Sequence, residues 1–164
     1  MIHIIQGNGK GKTTASVGLA VRAAGHDLKV LFIQFLKDDS SGEIRILKNI
    51  PGISVLHAPC NYGFTFNMTE EQLRESAVEY SKLLDKAIDS DAFLIVLDEV
   101  LHALSAGLIK EEQLKKLLEK NAEILLTGWN APEWLMEKAD YISDIKSVKN
   151  PYTIGINARA GVEF

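Results

Sequence analysis

The chain has 164 residues, 46% of them hydrophobic and 24% charged, which sets the expectation of one globular domain over residues 1–164 with a core of its own. A net charge of −4 argues against a nucleic-acid-binding surface, and no apolar run reaches the ~18 residues of a membrane span. The one cysteine, Cys60, excludes an internal disulfide and fits a reducing cytoplasm.

In chain order, Ile2–Gln6 reads as a first strand that runs straight into a glycine-rich loop, not as a signal peptide. The loop is Gly7-Asn8-Gly9-Lys10-Gly11-Lys12-Thr13-Thr14. A helix from Lys12 to Ala24 follows, and Gly25 is expected to end it as a C′ glycine. Strand, glycine loop, Lys-Thr and helix together make a phosphate cradle. Glycines let backbone N–H groups close around anionic oxygens, and the helix N-terminus adds a positive dipole end. Lys12 is expected to reach phosphate oxygens as a point charge, and Thr13 to offer its hydroxyl to Mg²⁺. The usual form of this loop places a glycine five residues before Gly11, where this chain has Gln6. The first glycine, Gly7, therefore comes one residue late.

Strand two is read at Lys29–Phe35, a short helix at Gly42–Lys48 closed by Pro51, and strand three at Ile53–His57. An aromatic loop, Pro59–Asn67, comes next. The longest helix runs from Thr69 to about Ser90, with Thr69 and Gln72 at capping-box spacing. Its core face is Leu73, Ala77, Tyr80, Leu83, Leu84, Ala87 and Ile88. Strand four, Phe93–Leu97, is a continuous apolar run that ends in Asp98-Glu99. Helices are placed at Val100–Ala106 and Lys110–Glu119, strand five at Glu123–Thr127, and a helix opened by Pro132 at N1. Tyr141–Phe164 reads as a last strand and an extended tail. Strands alternating with amphipathic helices predict an α/β fold, a mostly parallel sheet of about six strands with helices on both faces.

An apolar strand ending in two carboxylates, in a chain that carries a phosphate loop, is the place for a metal-organising pair. Asp98 and Glu99 are assigned to Mg²⁺ and phosphate, with the direct ligand left open. Of the four arginines, Arg22 and Arg74 fall on helix faces, and Arg45 and Arg159 stay available as a phosphoryl-transfer finger. His3, His26, His57 and His102 share no metal-ligand spacing and are read as structural. From the residues alone, three readings of a nucleoside-triphosphate site stand open. It belongs to a transferase, to an ATPase or kinase in which Glu99 polarises a water or hydroxyl and ADP results, or to a non-catalytic carrier.

Several segments resemble the P-loop ATP:corrinoid adenosyltransferases over essentially the whole chain. They are Gly7 to Thr14 with its late first glycine, Gln34-Phe35-Leu36-Lys37, Gly63-Phe64-Thr65-Phe66, Val96-Leu97-Asp98-Glu99-Val100, Leu126-Thr127-Gly128 followed by Ala131-Pro132, Ala139-Asp140-Tyr141-Ile142, Pro151-Tyr152, and Gly161-Val162-Glu163-Phe164. The resemblance implies a three-layer, RecA-like P-loop NTPase fold. It implies transfer of the 5′-deoxyadenosyl group of ATP to the Co(I) of a corrinoid, with release of triphosphate. Lys12, Thr13 and Glu99 would be the catalytic set, Gly7, Asn8, Gly9, Lys10, Gly11, Lys12, Thr13 and Thr14 the triphosphate cradle, and Thr13, Asp98 and Glu99 the Mg²⁺ ligands. Phe64 and Phe66, with Tyr62 as a lesser candidate, would face the corrinoid. A homodimer, a flavoprotein reductant and a cytoplasmic location are implied as well. Family members place tryptophan at Phe66 and arginine at Trp129. In the family a segment ahead of strand one helps cover the corrinoid; in this sequence strand one comes first.

Overall fold

The computed structural model describes residues 1–37, 41–59 and 68–162. Six strands form one sheet, all paired in parallel: β1 (Ile2–Gln6), β2 (Val30–Gln34), β3 (Ile53–His57), β4 (Leu94–Asp98), β5 (Glu123–Gly128) and β6 (Tyr141–Asp144). Their spatial order is β3-β2-β4-β5-β1-β6. The helices are α1 (Lys12–Ala24), α2 (Gly42–Leu47), α3 (Glu70–Asp89), α4 (Val100–Ser105), α5 (Glu111–Leu117) and α6 (Glu133–Lys138), with a short 3₁₀ turn at Pro151–Ile154.

Period-two alternation along the inner strands builds a core on each face of the sheet. Val30, Phe32, Leu94, Val96 and Leu125 pack with Ala20 and Ala23 of α1 and Ile44 and Leu47 of α2. Leu31, Ile33, Ile95, Leu97, Ile124 and Leu126 pack on the other side with Tyr80, Leu83 and Leu84 of α3, Leu101 of α4, Leu114 of α5 and Leu135 of α6. β2 and β4 are buried at every position, as strands covered on both faces must be. This is the expected three-layer α/β architecture, consistent with a P-loop, RecA-like fold. At one edge β6 is exposed at all four positions. No described helix is long and apolar enough to cross a membrane.

The capping box of α3 forms as read: the Gln72 N–H donates to Thr69 Oγ1 at 3.2 Å, and the Thr69 N–H donates to Gln72 Oε1 at 2.9 Å. Its apolar face is buried or packed against the core at each expected position.

Two helix ends differ from expectation. Gly25 stays right-handed (φ −65) and does not act as the C′ residue. The left-handed position falls two residues on, at Asp27 (φ 57). There the Leu28 N–H reaches the Ala23 carbonyl at 3.2 Å and the Asp27 N–H the Ala24 carbonyl at 2.9 Å. That pair of bonds is a Schellman closure, and a short aspartate tolerates the conformation it needs. Pro132 is the N-cap of α6, not N1. Its backbone is extended (ψ 152), while its carbonyl accepts from Leu135 at 2.9 Å and Met136 at 3.1 Å.

Candidate active site

The C-terminal ends of β1, β2, β4 and β5 converge on one edge of the sheet, where open parallel α/β sheets bind ligands. β1 leads there into the glycine loop and α1. Gly11 caps the helix at φ 118, a left-handed position that side chains rarely adopt, so the chain turns from loop to helix without strain. Lys12 folds back over the loop, its ammonium donating to the carbonyls of Gly7 at 2.7 Å and Gly9 at 3.0 Å. Asn8, Lys10 and Thr14 are exposed.

The loop is anchored from two sides. The Gly9 N–H donates to the Ile145 carbonyl at 2.8 Å, and Asn8 Oδ1 accepts from the Ser147 N–H at 2.9 Å. Gly9 is thus held by the segment leaving β6, where its N–H is engaged. A Cβ on Gly9 would lie 2.7 Å from Ile145 Cγ2 and 2.8 Å from the Ile145 carbonyl, so only glycine fits. On the other side Gln6, standing where the usual pattern has glycine, accepts from the Ala131 N–H at 3.0 Å through Oε1. The late first glycine therefore has a positive counterpart: Gln6 ties the start of the loop to the approach to α6.

Parallel register sets Gln34 of β2 opposite Asp98 at the end of β4, and pairs Leu97 with Leu126, which brings Thr127 alongside. Asp98 is fully buried. It accepts from Thr127 Oγ1 at 2.8 Å, from Thr13 Oγ1 at 3.0 Å and from Gln34 Nε2 at 3.3 Å. The bond from Thr13 joins the strand-four carboxylate to the phosphate loop across 85 residues of sequence. Thr127 Oγ1 also accepts from the Glu99 N–H at 2.9 Å, so one hydroxyl fixes both members of the acidic pair.

Glu99 has a left-handed backbone (φ 62), as the N-cap of α4. Its carboxylate accepts from His102 Nδ1 at 2.5 Å. Burial pushes the Glu99 carboxyl up. The His102 hydrogen bond and the positive charges of Lys37, His102 and Lys12 outweigh it and hold the group below the ordinary glutamate value.

Besides Gln34 and Thr127, two further residues that the sequence reading did not assign to the site stand in it. His102, read there as structural, is bonded to the acidic pair. Its position three after Glu99 at a helix start, one turn away, was the available signal. Lys37, just past β2, places Nζ 3.1 Å from Thr13 Oγ1, 3.2 Å from Asp98 Oδ2 and 3.9 Å from Glu99 Oε1. By contrast His3 bonds Glu123 at 2.7 Å and stacks on Tyr141, away from the acidic pair. Trp129 is about half exposed (49%) and, with Gly7, Asn8, Asp144, Lys146 and Ser147, lines a cavity of about 400 Å³ beside the loop. The aromatic candidates Tyr62, Phe64 and Phe66, and Cys60, lie outside the described residues.

The family model described as ATP:corrinoid adenosyltransferase BtuR/CobO/CobP matches residues 1–164. Among curated relatives, a corrinoid adenosyltransferase of Pseudomonas aeruginosa is 30% identical over all of this chain and 82% of its own length. One from a Sinorhizobium species is 30% identical over all of the chain and 80% of its own length. The corrinoid adenosyltransferase of Escherichia coli K12 is 28% identical, with 85% of its length covered.

Proposed function

The chain belongs to the ATP:corrinoid adenosyltransferase family, and from that premise we propose that Lys12, Thr13, Asp98 and Glu99 organise the triphosphate of ATP for adenosyl transfer. The enzyme moves the 5′-deoxyadenosyl group of ATP to the Co(I) of a corrinoid. The Co(I) electron pair forms the Co–C bond while the C5′–O bond breaks, and that oxygen leaves with triphosphate. The nucleophile belongs to the corrinoid substrate, so no serine, cysteine or histidine nucleophile is required of the protein. Its tasks are to fix the 5′ carbon against cobalt, to neutralise the leaving triphosphate and to keep water out.

One observation carries the assignment: the Thr13 hydroxyl bonded at 3.0 Å to the buried Asp98 carboxylate, which unites the glycine loop with the end of β4. Lys12 and the free loop N–H groups at the start of α1 take the phosphate oxygens. Mg²⁺ suits the donor set. Thr13 Oγ1, the Asp98 and Glu99 carboxylates, and the buried Gln34 Oε1, which has no partner among the described residues, are all hard oxygen donors. When bound, the ion adds positive charge where the leaving group gathers negative charge. Phe64 and Phe66 are proposed to face the corrinoid, on the strength of the family resemblance. Trp129 beside the loop cavity is placed to stack on a planar ring.

A cytoplasmic location, a flavoprotein electron donor and a homodimer follow from the same reading. The dimer has some support in Val148, Tyr152 and Ile154, apolar and exposed beyond β6, as a surface for a second copy to cover. The test is an anaerobic reaction with ATP, Mg²⁺ and chemically generated cob(I)alamin. The photolabile alkylcobalamin spectrum and triphosphate are expected to appear together. ADP and phosphate without alkylcobalamin would reject the reading in favour of an ATPase.

A further inference from the structure

We propose that Lys37 is a resident cation of the site, which holds the acidic pair in the nucleotide-free protein and passes to the triphosphate when Mg²⁺ and nucleotide arrive. The inference rests on the phosphate-site assignment above and adds a residue to it.

Three contacts define its place. The Lys37 ammonium lies among Thr13 Oγ1, Asp98 Oδ2 and Glu99 Oε1, the oxygens assigned to the metal. An ammonium with these oxygens at 3.1, 3.2 and 3.9 Å and a Mg²⁺ that takes the same oxygens at about 2.1 Å exclude one another. Asp98 is fully buried, and a buried carboxylate is costly without a compensating charge. In the free protein Lys37 provides that charge. Metal binding makes it redundant there and repels it, and the nearest incoming negative charge is the triphosphate on the same loop.

The backbone beneath Lys37 is built to hold its base still. The Phe35 N–H donates to the Asp98 carbonyl at 3.0 Å, and Phe35 packs edge-on against Tyr80 at 5.1 Å. Leu36 is left-handed (φ 57), an unfavourable state for leucine, and its N–H donates to Tyr80 Oη at 3.0 Å. That turn aims Lys37 at the loop. The four-carbon stem, with the side chain about one-third exposed (32%), leaves the charged end free to change partners. Lys12, by contrast, is tied to the loop's own carbonyls.

Lys37→Met keeps the stem and removes the charge, and two binding measurements on the nucleotide-free protein test the proposal. Mn²⁺ affinity, read by electron paramagnetic resonance, is expected to rise, because a competing cation has gone. Affinity for inorganic triphosphate at saturating Mg²⁺, read by calorimetry, is expected to fall about tenfold, the scale of one charged hydrogen bond. Lys37→Arg is expected to keep both near wild type. A merely structural lysine would lower both affinities or neither, and either of those results overturns the proposal. Should Lys37→Met not fold, the methyl resonance of reductively methylated Lys37 in the otherwise wild-type chain gives the answer. It is expected to shift when Mg²⁺ and triphosphate are added, and a resonance that stays put overturns the proposal. None of these readouts depends on adenosyl transfer, so failure of the enzyme assay and failure of this inference are separable.

Discussion

Glu99 is constrained through both its backbone and its side chain. Its left-handed backbone turns the chain from β4 into α4, Thr127 holds its N–H, and His102 and Lys37 face its carboxylate. Because its pKa in the folded protein is depressed, its contribution to stability is complete above the unfolded value. That contribution is lost as pH falls through the lower, folded one. Replacing His102 by alanine removes the hydrogen bond that does most to counter burial. The acid limb of the melting temperature plotted against pH is then expected to move up, toward the ordinary glutamate range. An acid limb that does not move would mean that His102 leaves Glu99 untouched. At this scale the sequence revealed the residues whose spacing is itself the signal: Lys12 and Thr13 behind their glycines, and Asp98-Glu99 at the end of an apolar strand. It did not reveal Lys37, which sits 61 positions from Asp98 and reaches it only through strand pairing. Nor did it reveal Thr127, one of many strand threonines until register brings it beside the acidic pair.

The elements show why some boundaries could be read and others could not. The α3 start was legible because a capping box is a local pattern, with both partners within three residues. The α1 end was placed correctly at Ala24, but its closing residue was not, because Gly25 and Asp27 both accept that role and the choice depends on where Leu28 must go to enter β2. The phosphate loop is the clearest case. Its glycines announced a cradle, but two of them are required by the neighbouring element: Gly7 and Gly9 both face Ile145 just after β6, more than a hundred residues downstream. Gly9→Ala is expected to push the loop from that segment and weaken ATP binding about tenfold, since overpacking of this kind costs about 1–3 kcal/mol. Calorimetric titration with ATP checks it. An affinity equal to wild type would show that the contact with Ile145 does not shape the cradle.

For the whole molecule, alternating strands and helices were enough to expect a parallel sheet with two covered faces, and the two cores match that expectation. The strand order lies beyond pattern reasoning, because each crossover could in principle run to either side of the sheet. Yet the order makes the site: β4 between β2 and β5, with β1 next to β5, brings Gln34, Asp98, Thr127 and the glycine loop to one edge. A site of this kind serves attack at phosphorus as readily as attack at carbon, since both need a neutralised triphosphate. The central claim is that here the bond broken is C5′–O. ATP carrying a heavy-oxygen label at the 5′ bridging position, turned over anaerobically with cob(I)alamin, decides it by mass spectrometry of the phosphate products. The account predicts the label in triphosphate, and a label retained in ADP would contradict it.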